Sequence, residues 1–277
     1  MDKPLADTNK KAKFDIQLDR HEAKYIIPRS MIPDIVRFIK PFCDPDPNGE
    51  GDPPEYVITT LQLDSPDFAL HMAKQKEALN RFKLRVRTYG TPGDNPVFLE
   101  VKQKNKGIIT KARTAVPFKM WGKDLIRSHK MNLSFKSPKE ENGFMQFVRL
   151  TREIGAAPVA LIRYVRESYF SRLDHYARVT FDRKLEYQPT SSWDSWGRGG
   201  RWIAMDNNLV QNKSNSFSGV VLELKTLSDA PEWMMDLVRH FALERTGNCK
   251  YSTAVWMESL FCGYPTAPAY AGELLSF

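Results

Sequence analysis

In residues 81–89, Arg81, Lys83, Arg85 and Arg87 alternate with Phe82, Leu84, Val86 and Thr88. Period-two alternation is the mark of a β-strand, whose successive side chains point to opposite faces. After a Gly- and Pro-containing turn through 90–96, residues 97–104 repeat the pattern with Glu100, Lys102 and Lys104 on one face. Beyond a tight connection at 105–107, Lys111 and Arg113 share a face of a third run. Four cations side by side on one strand repel each other, so this face cannot meet an apolar core. Its natural counterpart is a polyanion. Solvated outer faces of antiparallel sheets show the same alternation, but they ordinarily mix both signs, whereas this surface is almost wholly basic.

The pattern recurs along the chain. A strand at 14–27 carries Arg20, Glu22 and Lys24 on one face, with His21 on the other. One at 56–64 has Thr60, Gln62 and Asp64 opposite Val57, Leu61 and Leu63. Tyr164, Arg166 and Ser168 share a face in 161–170. In 176–187, Arg178, Thr180 and Asp182 oppose Val179 and Phe181, and in 220–226 Glu223 and Lys225 oppose Val220, Leu222 and Leu224. Helical periodicity marks 31–39, 65–79, parts of 121–155, 231–245 and 253–261, with 250–252 read as a polar turn. Residues 43–55 read as a surface loop and 188–218 as a long excursion with a short strand near Trp202. The division expected is a disordered arm at 1–13, one domain at 14–265 and a tail at 266–277.

At 277 residues and 42% hydrophobic content the chain is long enough for a sizeable core, and its net charge of +8 favours acidic partners. No run approaches the ~20 apolar residues of a membrane span. The N-terminus has no signal-peptide pattern. Cys43, Cys249 and Cys262 match no zinc spacing. They read as plain thiols in a cytoplasmic protein.

Eight strands, most with one charged and one apolar face, suggest an α+β fold built on a closed eight-stranded antiparallel β-barrel. Amphipathic helices need an apolar surface to pack on, and only the apolar strand faces supply it. The helices therefore belong outside and the charged faces inside. Burying that excess of cations empty is prohibitive. Water and a multiply charged anion must fill the interior, against the carboxylates Glu22, Asp64, Glu100, Asp182 and Glu223. The carboxylates suit a divalent cation bridging to phosphate oxygens.

Arg20-His21-Glu22-Ala23-Lys24-Tyr25, Lys83 to Tyr89, Glu100-Val101-Lys102, Lys111-Ala112-Arg113, Tyr164-Val165-Arg166, Arg178 to Asp182, Leu222 to Lys225 and Lys250-Tyr251-Ser252 occur in an order and spacing that resembles one family. It is the vacuolar transporter chaperone (VTC) domain, a branch of the triphosphate tunnel metalloenzymes related to the CYTH proteins. The resemblance implies an eight-stranded tunnel that polymerises polyphosphate from ATP with a divalent metal, Mn2+ or Mg2+. It implies Lys24, Arg85, Arg87, Lys102, Lys111, Arg166 and Lys250 as phosphate ligands with Ser252 beside them, and Glu223 as metal ligand. Gln62 stands where many relatives carry tyrosine, and Thr253 where the family often has lysine. The sensing module and membrane helices that accompany the domain in eukaryotes are not in this sequence, so a stand-alone cytosolic protein is expected. A membrane-protein partner is not legible in it.

Phosphoryl transfer needs positioning and charge neutralisation more than covalent chemistry. Glu22, Lys24, Arg85, Arg87 and Lys250 are the catalytic candidates, with Glu22 as a general base. The inward cations Lys83, Arg113, Arg178 and Lys225 join the phosphate-binding set, and Glu100 or Glu22 would assist Glu223 at the metal. Attack by a growing chain makes a polymerase, whereas attack by water makes a tripolyphosphate or nucleoside triphosphate hydrolase. A non-catalytic binder of polyphosphate or nucleic acid is the remaining class. Nucleic acid is disfavoured because the basic faces show no aromatic interleaving for base stacking.

Overall fold

The computed structural model describes residues 20–91, 93, 95–128, 133–173, 176–197, 199–206, 219–227 and 229–262. The arm expected at 1–13 and the tail at 266–277 lie outside these. The alternating runs form β1 (Arg20–Pro28), β3 (Glu55–Asp64), β4 (Asn80–Tyr89), β5 (Val97–Asn105), β6 (Ile108–Val116), β7 (Ala157–Ser171), β8 (Arg178–Pro189) and β10 (Gly219–Leu227). Two short additions, β2 (Cys43–Pro45) on β7 and β9 (Ile203–Ala204) on β8, complete a ten-stranded sheet. The helices are α1 (Ile32–Ile39), α2 (Ala69–Gln75), α3 (Lys123–Arg127), α4 (Pro138–Glu153), α5 (Glu232–His240) and α6 (Lys250–Cys262).

The sheet is antiparallel throughout and runs β1-β10-β8-β7-β3-β4-β5-β6. A closed barrel would need a ladder between β6 and β1, and none occurs among the described residues. The sheet is open and curled. Both free edges carry inward-pointing cations, Lys111 and Arg113 on β6 and Lys24 on β1, and such charges blunt edge-to-edge pairing. The tight β5–β6 turn follows from Lys106 and Gly107, both at positive φ (47° and 95°). Two consecutive residues in that region make the turn whose twist matches the flanking strands.

The apolar strand faces look outward and are covered by helices, as the alternation requires. Tyr25, Ile27, Val179, Phe181, Leu222 and Leu224 pack against Ile32, Ile35 and Ile39 of α1 and Trp233, Met234 and Leu237 of α5. On the other half, Leu84, Val86, Leu99 and Val101 meet Phe144, Phe147 and Val148 of α4. Ser137 caps α4 by accepting from the Glu140 amide, with Pro138 in the first turn.

The helix expected at 231–245 ends at His240, and two further helical expectations change. The helix expected at 65–79 shrinks to α2, because Asp64 and Ser65 turn back to accept from the amides of residues 69–71 and thereby fix its start at Ala69. Residues 250–252, read as a polar turn, are instead the first turn of α6. This helix does not pack outside either. Its Ala254 and Met257 cluster with Ile58, Ile162, Tyr164 and Val221 of the inner face, and the Tyr187 hydroxyl donates to Glu258 at 2.9 Å. A helix therefore fills one part of the concavity and leaves the charged rows in the other.

Candidate functional site

Cross-strand register assembles the charged rows. Arg85 of β4 lies opposite Glu100 of β5, which lies opposite Arg113 of β6, and in the next row Lys83, Lys102 and Lys111 are aligned. Side chains directly opposite each other share a face, so the alternation of three separate runs converges on one surface. Glu100 is fully buried and receives Arg85 Nε at 2.6 Å, Lys111 Nζ at 2.8 Å, Arg113 Nε at 3.5 Å and Arg87 Nη1 at 3.8 Å. Burial alone would raise the Glu100 pKa, yet Arg87, Arg85 and Lys111 together hold it well below the carboxylate range. Arg87 is correspondingly fixed in its charged form, burial being outweighed by the field of Tyr164 and Glu100. Burial lowers Lys111.

A second cluster lies on β1, β10, β8 and β7. Asp182 accepts a two-pronged contact from Arg166 (2.7 and 2.9 Å) and a third from Lys250 at 2.7 Å. Glu223 pairs with Lys225 and lies 3.9 Å from Lys24 Nζ. Lys24 also meets Glu22 at 3.0 Å and donates to the Asn248 carbonyl at 3.2 Å, while Lys102 reaches Glu22 at 3.6 Å from across the concave face. Burial works against ionising Glu223 and Glu22, but the surrounding lysines, and Arg166 for Glu223, leave both below the ordinary value.

All the cations of the expected phosphate-binding set except Arg178 thus fall into contact with a carboxylate or thiol of the concave face. Arg178 stacks its guanidinium on Phe170 at 3.9 Å from the ring centre. Lys83 meets Cys249 Sγ at 2.9 Å, and Ser252 donates to the same sulfur at 3.3 Å. Against the upward push of burial, Lys83 and Ser252 bring the Cys249 thiol down to about 6. It is not the plain thiol expected, and no spacing in the sequence pointed to it. Asp64, counted among the interior carboxylates, is spent on the amides of Leu70 and His71 and on the Tyr251 hydroxyl. Asp182, expected as one of the interior carboxylates, positions both Arg166 and Lys250. His21 is exposed, as expected.

The premise that aromatics avoid the basic faces is corrected. Tyr89 and Phe98 extend the β4 and β5 rows, Arg113 lies over the Phe98 ring at 3.8 Å, and Tyr164 lies 4.8 Å from Lys250 Nζ. The signal was present, since Tyr89 and Phe98 keep the same parity as Arg87 and Glu100.

Polar atoms without partners mark where a ligand would add contacts. Arg87 Nε and Thr60 Oγ1 are buried donors with no hydrogen-bond partner among the described residues, and these two residues face each other in register. Thr180 Oγ1, opposite Glu223, is another. No group of three or more His, Cys, Asp or Glu that could hold a metal occurs among the described residues. Glu100 and Glu223 pair with different cations, Glu100 with Arg85, Arg87, Lys111 and Arg113 and Glu223 with Lys24 and Lys225. Glu223 and Glu22, both bound to Lys24 and with Thr180 adjacent, are a set of hard oxygen donors. They fit a divalent cation that takes its remaining ligands from phosphate, the usual habit of magnesium-type sites.

No curated protein sequence matches the chain. Among solved structures, the PH1819 protein of Pyrococcus horikoshii OT3 is similar at 12% identity and TM-score 0.44, over 86% of this chain and 99% of that one. The Mimivirus capping enzyme triphosphatase is similar at 10% identity and TM-score 0.28, over 82% and 90%. None of the described helices is long and apolar enough to cross a membrane. A family model described as the VTC domain matches residues 19–258, a span holding every strand and both ion clusters, and the chain belongs to the VTC domain family.

Proposed function

We propose that this protein transfers the γ-phosphoryl group of ATP to the end of a polyphosphate chain on the concave face of its sheet. The observation that carries this reading is the pair of buried donors, Arg87 Nε and Thr60 Oγ1, left without acceptors beside a row of cations that outnumbers its carboxylates. Such a surface calls for further negative charge, and a chain of phosphates supplies acceptors all along its length. Arginine forks suit that role better than point charges do.

In this reading Arg85, Arg87, Lys102 and Lys111 hold successive phosphates, exchanging their contacts to Glu100 and Glu22 for phosphate oxygens. Arg166 and Lys250, fixed by Asp182, and Lys24 neutralise charge on the transferred group, with Arg113, Arg178, Lys225, Lys83 and Ser252 around them. Glu223 and Glu22 would hold a divalent cation, whose chemistry is to neutralise charge on the β- and γ-phosphates. The terminal oxygen of the polyphosphate attacks the γ-phosphorus in line, the bridge between β- and γ-phosphates breaks, and ADP leaves. The attacking oxygen is already an anion, so no base is needed.

That last point separates polymerase from hydrolase. Water must lose a proton, and the base expected from the sequence was Glu22. Its pKa is lowered and its oxygens are engaged by Lys24 and Lys102, which makes it a weak base. Incubation with ATP and Mn2+, followed by a gel resolving long polyphosphate from free phosphate, tests the proposal. A ladder with matching ADP is expected; free phosphate alone would assign the hydrolase instead.

A further inference from the structure

Next to the phosphate rows, the inner face changes from charged to aromatic. Tyr89 follows Arg87 by two residues on β4, and Phe98 lies two residues from Glu100 on β5. Tyr56 stands on the same face of β3, in the row beyond Ile58 and Tyr89. The rings form a continuous strip, with centroids 6.1 Å apart for Tyr56 and Tyr89 and 5.5 Å for Tyr89 and Phe98. Arg113 lays its guanidinium over Phe98 at 3.8 Å and lies 5.4 Å from the Tyr89 ring centre. Its side chain is 38% exposed.

Tyr56 and Tyr89 border the inner cluster around Ile58, but the strip is less enclosed than the aromatics of the outer face. Phe144 and Phe147 there are fully buried beneath α4. Tyr56, Tyr89 and Phe98 are only half-buried, and β6, which bears Arg113, is a free edge of the sheet. A flat cation laid on an aromatic ring and partly exposed to solvent is a shelf for another flat π-system. Nucleobases stack on guanidinium planes and aromatic rings in just this way. The spacing also suits a nucleotide. Two strand residues span about 6.6 Å, roughly the reach from an α-phosphate across a ribose to its base. A triphosphate whose α-phosphate lies at Arg87 would therefore bring its base to the row of Tyr89, Phe98 and Arg113.

We infer that Phe98, Tyr89 and Arg113 form a nucleobase shelf that makes a nucleoside triphosphate, rather than free tripolyphosphate, the preferred donor. This rests on the phosphate placement proposed above. Base stacking adds affinity only to ligands that carry a base, and it is tolerant of base identity because every base has a π-face.

The test is calorimetry with ATP, ribose 5-triphosphate and tripolyphosphate on the unaltered protein and on Phe98→Leu, which keeps apolar volume but removes the ring. ATP is expected to bind about tenfold tighter than ribose 5-triphosphate in the unaltered protein. Phe98→Leu should abolish that advantage and leave tripolyphosphate affinity unchanged. A 2-aminopurine riboside triphosphate should lose fluorescence on binding to the unaltered protein and keep more of it on the variant. Equal affinity for ATP and ribose 5-triphosphate in the unaltered protein would overturn the shelf while leaving phosphate binding intact, and this comparison needs no variant. Uniform weakening of all three ligands in Phe98→Leu would also overturn it. Failure of tripolyphosphate to bind the unaltered protein would remove the parent reading and the shelf together.

Discussion

Replacing Glu100 by glutamine removes the one anion that Arg85, Arg87, Lys111 and Arg113 share while nearly preserving its shape. Removing one partner of a buried ion pair typically costs about 3–5 kcal/mol, because the other charge is left uncompensated. The lower end applies here, since Arg85, Lys111 and Arg113 retain some access to water. At ~2–4 °C per kcal/mol for a domain of this size, melting should fall by about 6–12 °C. A polyanion should then replace the missing charge. Tripolyphosphate at a hundred times its dissociation constant stabilises a folded protein by about 2.7 kcal/mol. At a fixed ligand concentration its stabilising effect should be larger on Glu100→Gln than on the unaltered protein, because phosphate no longer competes with a carboxylate. The pH dependence has a definite sign. A carboxylate whose folded pKa is depressed contributes stability that is present above the unfolded value of about 4.3 and is lost as pH falls towards the folded value. The unaltered protein should therefore lose stability below about pH 4 more steeply than Glu100→Gln. The assay is thermal melting with and without tripolyphosphate across pH. A variant that melts with the unaltered protein, and gains no more from tripolyphosphate, would refute the reasoning.

Glu223→Gln should abolish metal-dependent turnover while tripolyphosphate binding stays measurable by calorimetry; near-normal turnover would remove Glu223 from the metal site. Arg85→Ala combined with Arg87→Ala should weaken tripolyphosphate binding by several kcal/mol, since hydrogen bonds to charged groups are worth about 1.5–3 kcal/mol each, and unchanged affinity would contradict the inward placement. The Cys249 thiolate should be present at neutral pH with a midpoint about 6, read from thiolate absorbance in a background lacking the other two cysteines. Lys83→Met should move that midpoint up by removing the neighbouring charge, and an unmoved midpoint would contradict the contact as its cause. The associated stability is present above the unfolded thiol value of about 8.5 and declines as pH falls through about 6.

Strand positions and the direction of their faces were legible because period-two alternation survives any tertiary arrangement. Arg81 to Tyr89 and Val97 to Lys104 state their inner and outer faces residue by residue. The helices confirm the logic, since α1, α4 and α5 need the apolar faces that the strands turn outward. Closure was not legible. Whether β6 pairs with β1 depends on edge repulsion and on what occupies the concavity, and neither is written in the periodicity of either strand. The place of α6 was hidden for a related reason. Lys250 and Ser252 look like a polar turn in sequence, but Asp182 and the Cys249 thiol supply partners that make a helical first turn favourable. Asp64 reads as an interior carboxylate in the sequence, but a carboxylate on a charged face can serve a helix N-terminus as readily as a ligand. The aromatic strip shares the parity of the basic rows, so the same alternation that places the cations inside also places Tyr89 and Phe98 there.

The central claim is tested most directly by following the fate of a single phosphoryl group. ATP labelled at the γ-phosphate, supplied with a divalent cation and a short polyphosphate primer, should transfer its label into acid-insoluble polyphosphate with one ADP formed per phosphate incorporated. ATP labelled at the α-phosphate should transfer none. Label recovered only as free phosphate, or the same incorporation by Glu223→Gln, would contradict the account.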